Sequence, residues 1–102
     1  MQFTEKHLIE NGDMVADITS VPIQTDQIYM GSFQANRVGT ATGNFIIQGS
    51  NDGINYKDLV TVAVSNLEII EFTEFTTKFI RFFYDFGANT GTLNVHFYAK
   101  GA

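Results

Sequence analysis

The side chains able to carry proton chemistry are two histidines, His7 and His96, and eleven carboxylates. The histidines lie far apart along the chain, and no serine sits in the Gly-x-Ser-x-Gly setting of a nucleophile. A Ser-His-Asp triad can be drawn on paper, but no motif supports it. His96 reads as an ordinary residue on the polar face of the last strand. Glu68, Glu71 and Glu74 crowd one strand and Asp85 lies on the next. If alternation holds, Glu68 and Glu74 share a face and Glu71 lies opposite. Paired carboxylates hydrolyse glycosides, yet such an enzyme needs a larger cleft than this chain builds. These acids read instead as charges that keep an edge strand soluble.

Asn51-Asp52-Gly53-Ile54-Asn55 carries oxygen ligands in a short loop. It does not match the twelve-residue calcium loop, with its fixed offsets and late Glu. A hairpin turn of Asx geometry accounts for it better, with Gly53 at positive φ. Gly39, Gly43 and Gly49 precede no helix whose N-terminus would hold phosphate. The expectation is therefore no catalytic residue, no metal and no cofactor.

These residues must be positioned by strands. Alternation with period two dominates the 102 residues, and helical spacing is hard to find. Phe3–Glu10 reads as extended and Asn11-Gly12-Asp13 as a turn. Met14–Thr19 alternates up to Pro22, the only proline, which ends or edges that strand. Further strands are predicted at Gln27–Ala35, Asn44–Ser50, Tyr56–Val64, Leu67–Phe75, Lys78–Phe86 and Thr92–Lys100, with a loop over Asn36–Gly43. Lys78–Phe86 is apolar on both faces and belongs at the centre of a sheet. About eight strands, with turn signals roughly every 8–12 residues, make a sandwich or barrel. We read residues 1–102 as a single all-β domain, an antiparallel β-sandwich.

Composition narrows the function. Hydrophobic residues make up 44% and charged residues 17%, so the chain folds. Net charge is −5 and the six basic residues are scattered, which argues against nucleic acid and against an anionic membrane surface. The absence of cysteine fits a reducing cytosol. The first residues lack the apolar stretch of a signal peptide. Ten Phe leave two readings open: a surplus beyond what one small core hides, which would mark an interface, or a Phe-rich but fully buried core.

The stretch Gly43–Leu59, with Ser50-Asn51-Asp52-Gly53 followed by Tyr56 and Asp58, resembles discoidin-like, galactose-binding-type β-sandwiches. Lys78-Phe79-Ile80-Arg81-Phe82 and Gly91–Lys100 extend the resemblance over roughly the C-terminal 60 residues. Tyr56 stands where that family usually has Trp, no cysteines clamp the ends, and the first 35 residues do not match. Small virion proteins of tailed bacteriophages are similar in the same segment. The resemblance implies a jelly-roll or discoidin-like sandwich and a structural protein of a virion, made in the host cytoplasm. Its partners would be further copies of itself and a major capsid or tail protein. The alternative is a carbohydrate-binding module. It would use exposed aromatics among Tyr29, Tyr56, Tyr84 and Tyr98 beside Asn36, Arg37, Asn55 and Asn89. Tyr56, Asn55, Arg37 and Tyr98 are the binding candidates.

Overall fold

A strand with one apolar face is stable only when that face lies against a second layer. A computed structural model, which describes residues 2–101, meets this requirement with nine strands among the described residues. They are β1 (Gln2–Asp13), β2 (Ile18–Thr19), β3 (Ile23–Gln24), β4 (Met30–Gly39), β5 (Gly43–Ser50), β6 (Lys57–Ala63), β7 (Leu67–Phe72), β8 (Phe79–Phe86) and β9 (Gly91–Gly101). One sheet has the order β1-β9-β4-β7; the other runs β2-β8-β5-β6, with β3 also on β8. Every pairing is antiparallel. Taking β2 and β3 as one broken strand, the first strand pairs with the last and the second with the last but one. The pattern continues inward to the β5–β6 hairpin. A long hairpin folded over in this way is a jelly roll.

The core lies between the sheets. Phe33, Ala35, Leu93, Val95, Phe97 and Ala99 come from one, and Phe45, Ile47, Ile80, Phe82 and Tyr84 from the other. Phe33 touches Phe72, Phe82 and Phe97, with ring centroids 4.8–6.4 Å apart. β8 is central, flanked by β5 on one side and by β2 and β3 on the other. Its apolar composition anticipates this place. Tyr84 carries a hydroxyl into the core and donates it to the Thr42 carbonyl at 2.6 Å. Burial raises the pKa of that hydroxyl above the ordinary tyrosine value.

Pro22 lies between β2 and β3, on an edge, as its missing N–H requires. The interruption is bridged by a side chain: Ser20 Oγ accepts the Phe82 N–H at 2.9 Å.

Four expectations are corrected. Asn11-Gly12-Asp13 is not a turn but part of β1. Asn11 has φ 51° and its N–H donates to Asn94 Oδ1, so the positive φ forms a bulge within the strand. The chain turns at Met14–Ala16, and Met14 is a core residue. Asn36–Gly39 is strand, because the β4–β9 ladder continues to Gly39 opposite Gly91, while Gln27–Tyr29 precedes the strand. β7 stops at Phe72, so Glu74 shares no strand face with Glu68. The phenylalanines are mostly absorbed. Phe33, Phe45, Phe82 and Phe97 are buried, Phe72 and Phe75 pack on the core, and only Phe3 and Phe86 are exposed.

Candidate functional site

Register decides which outward side chains become neighbours. On the outer face of β1-β9-β4-β7 they form rows across the sheet. Phe3, Lys100 and Met30 make one row. Glu5, Tyr98, Ser32 and Glu71 make the next, followed by His7, His96, Gln34 and Ile69. Asn94, Asn36 and Leu67 come after them. Phe3 and Tyr98 stack at 5.8 Å between centroids, with planes 24° apart. His7 and His96, distant in sequence, are direct cross-strand partners stacked at 4.2 Å. The face is an open platform of exposed Phe3, Tyr98, Leu67 and Ile69 around a polar centre. Shallow depressions lie beside Tyr98, one lined by Glu5, Lys6, His7 and His96, another by Met30, Ser32, Glu71 and Lys100.

The outer face of the second sheet is held by its own contacts. The Arg81 guanidinium lies 3.7 Å from the centroid of the Tyr56 ring. Arg81 Nε donates to Gln48 Oε1 at 2.8 Å, and Gln48 Nε2 donates to Asp58 Oδ1 at 2.9 Å. Tyr56 is half-buried, and its hydroxyl oxygen is buried without a hydrogen-bond partner. It therefore packs over the hairpin end rather than standing free.

The hairpin loop before Tyr56 is closed by Asp52. One carboxylate oxygen accepts the N–H groups of Ile54 and Asn55, both at 2.8 Å, and the Ser50 hydroxyl at 2.9 Å. The other accepts Asn55 Nδ2. Ser50 Oγ in turn accepts the Gly53 N–H. The backbone N–H groups of Asn55 and Ile54 hold the Asp52 carboxyl well below the usual carboxylate range, helped by the Asn55 and Ser50 side chains. Both oxygens thus serve the turn, and Gly53 has φ 75° as the Asx geometry requires.

The four binding candidates do not converge. Asn55 and Tyr56 belong to the β5–β6 hairpin and Tyr98 to the platform of the other sheet. Arg37 lies near the end of β4. Its guanidinium donates to the Ala41 carbonyl at 2.8 Å and to Asn66 Oδ1 at 2.7 Å, which ties two loops together. Tyr84 is fully buried and unavailable to a ligand, whereas Tyr29 is exposed. The residues missed in the sequence are Phe3, His7, Leu67 and Ile69. Alternation within each strand assigns their faces, but only register makes them one surface.

A cleft of about 580 Å³ opens between the edges of the two sheets and is lined by Thr4, Lys6, Pro22, Gln24, Asp26 and Phe79 among others. Among the described residues no group of three or more His, Cys, Asp or Glu is arranged to hold a metal ion. The acid nearest the histidine pair is Glu10, its Oε2 4.0 Å from His7 Nδ1.

No protein-family model matches the chain, and no curated protein matches its sequence. One solved structure shares the fold over nearly the whole chain. The PBSX exported protein XepA superposes with a TM-score of 0.77 over 97% of this chain, at 13% identity. This chain spans only 37% of XepA. The Yersinia pseudotuberculosis-derived mitogen aligns over 99% of this chain and 85% of its own, at 13% identity and a TM-score of 0.44.

Proposed function

We propose that this chain is a phage-related structural domain, non-enzymatic, that acts by protein–protein assembly as a virion component. The observation that carries this reading is the platform on the outer face of β1-β9-β4-β7. Phe3, Tyr98, Leu67 and Ile69 face solvent there across one open sheet face, and an open face with exposed aromatic and aliphatic anchors suits a protein partner better than a small substrate. The likeness of nearly the whole chain to part of XepA, a PBSX protein, supports the phage setting. In this reading the partner is a major capsid or tail protein, or further copies of the chain. The kinship with discoidin-type sandwiches belongs to the same proposal. It rests on the Ser50–Gly53 hairpin and the Lys78–Phe82 segment.

Co-sedimentation with particles purified from a lysate of the parent phage or prophage tests it. The chain should travel with the particles, and Tyr98→Ala together with Phe3→Ala should release it. A chain found only in the soluble fraction refutes the assembly reading. A second reading is favoured by one observation: the stacked, exposed Phe3–Tyr98 pair beside Ser32, Glu71 and Lys100 is a shelf on which a sugar ring can stack. Glycan-array binding that is lost in Tyr98→Ala selects that reading instead.

A further inference from the structure

A β-sandwich has free strand edges, and each is a template for pairing unless it is blunted. Three of the edges here are blunted. β1 has register shifts between His7 and Ile9 and between Ile9 and Gly12. β6 has a shift opposite Ile47 and Gln48. The β2–β3 edge is broken around Pro22. β7 alone is regular: its six residues, Leu67–Phe72, pair with β4 without irregularity. It contains no proline and no lysine; its charges are Glu68 and Glu71, which keep the edge soluble but leave its ladder unbroken.

The ladder shows which backbone groups face outward. The Arg37 N–H donates to the Asn66 carbonyl at 2.9 Å. Bonded and non-bonded pairs alternate in an antiparallel ladder. In the register that sets Asn36 opposite Leu67, the residues whose N–H and C=O point away from β4 are Leu67, Ile69 and Glu71. The same three carry their side chains on the outer face, and Leu67 and Ile69 are 54% and 52% exposed. The Leu67 carbonyl also takes the Ser65 hydroxyl at 3.1 Å, which leaves it a second lone pair.

We propose that β7 pairs antiparallel with β7 of a second copy of this chain, about a two-fold axis centred on Ile69. Two four-stranded sheets would then join into one continuous sheet. Charge selects this register. A two-fold on Glu68 or on Glu71 sets a carboxylate directly against its own copy, which is unfavourable. One centred on Ile70 sets Leu67 against Thr73, beyond the end of the strand, and leaves only the two Ile69–Glu71 pairs to bond, where centring on Ile69 gives three bonded pairs. Centring on Ile69 sets Ile69 against Ile69, Leu67 against Glu71 and Glu68 against Ile70. All of these lie inside β7, and no like charges are opposed. The outward N–H and C=O groups of Leu67, Ile69 and Glu71 then meet their counterparts, and the exposed Leu67 and Ile69 of both copies form one aliphatic cluster. Such an interface is self-complementary, as a two-fold demands. The pairing rests on the assembly reading for its biological setting, and the test separates the two.

The test is sedimentation velocity of the purified chain up to about 200 µM, since a strand-edge contact is small and its occupancy depends on concentration. The mass should rise to about twice the 11.4 kDa of one chain. Ile69→Lys and Ile69→Pro should return it to one chain, while Ile54→Lys, the same change at a more exposed isoleucine elsewhere, should not. Ile69→Lys places its charge in water and keeps the fold, so it decides the matter if the proline variant unfolds. Hydrogen exchange at the Ile69 and Glu71 amides should slow as concentration rises. A strict monomer, or a dimer that survives Ile69→Lys, overturns the proposal. A monomer that still co-sediments with particles sinks the strand pairing and spares the assembly reading. A dimer broken by Ile69→Lys that never binds particles does the reverse.

Discussion

Replacing Gly53 by Val tests the Asx turn at its most constrained point. Gly53 has φ 75°, a region in which a β-branched residue is strained. An added Cβ would also stand 3.3 Å from Phe79 Cε2, so a rigid aromatic ring must give way as well. Backbone strain of this kind costs about 1–3 kcal/mol. Unfolding entropy near the midpoint is about 2.1 cal/mol/K per residue, or roughly 0.2 kcal/mol/K for this domain. The expected fall in Tm is therefore about 5–14 °C. Ile54→Ser, one residue along, changes a side chain that is 81% exposed and should stay within about 0.5 kcal/mol. Gly53→Asn should cost less than Gly53→Val, because Asn tolerates positive φ. Calorimetry of the four proteins decides. Equal melting temperatures for Gly53→Val and Ile54→Ser would refute both the turn geometry and the role given to Asp52 in closing it.

The remaining predictions concern charge, the core hydroxyl and catalysis. Asp52 has a lowered folded pKa, so its contribution to stability is present above the unfolded value and is lost as pH falls through the acid range. Stability of Asp52→Asn should depend less steeply on pH below about 4, as urea melts would show. EDTA should hardly move Tm, since both Asp52 oxygens are taken by the loop's own donors; a fall of more than about 8 °C would mean a structural ion. Tyr84→Phe removes the hydrogen bond to Thr42 and should cost about 1 kcal/mol, read as a drop in Tm of about 5 °C. Burial raises the Tyr84 pKa, so its neutral form is favoured in the fold. That stability is present below the unfolded value of about 10 and lost as pH rises through the folded one. Purified protein should not turn over common ester, glycoside or phosphate substrates; turnover abolished by His96→Ala would refute the non-enzymatic reading.

Period-two alternation was enough to read an all-β sandwich. It placed Leu93, Val95, Phe97 and Ala99 on the buried face of β9 and Asn94, His96 and Tyr98 on the other. It also marked the centre of a sheet, because a strand apolar on both faces, such as Phe79–Tyr84, needs cover on both. Local chemistry was legible wherever a residue acts on its own neighbours: Asp52 and Gly53 closing a turn, Pro22 confined to an edge. Asn11-Gly12 shows the limit. Positive φ serves a hairpin turn or a bulge equally well, and the partner strand chose the bulge by offering Asn94 Oδ1 to the Asn11 N–H. The candidate site lay almost wholly beyond sequence. Alternation tells which face of its own strand a residue takes, but not which strand lies alongside or in what register. Only the pairing of the first strand with the last, Glu5 with Tyr98 and His7 with His96, gathers the platform, and only the order β1-β9-β4-β7 leaves β7 at an open edge. Those pairings join residues from opposite ends of the chain, so no local pattern encodes them; the burial of both sheets against one shared core selects them.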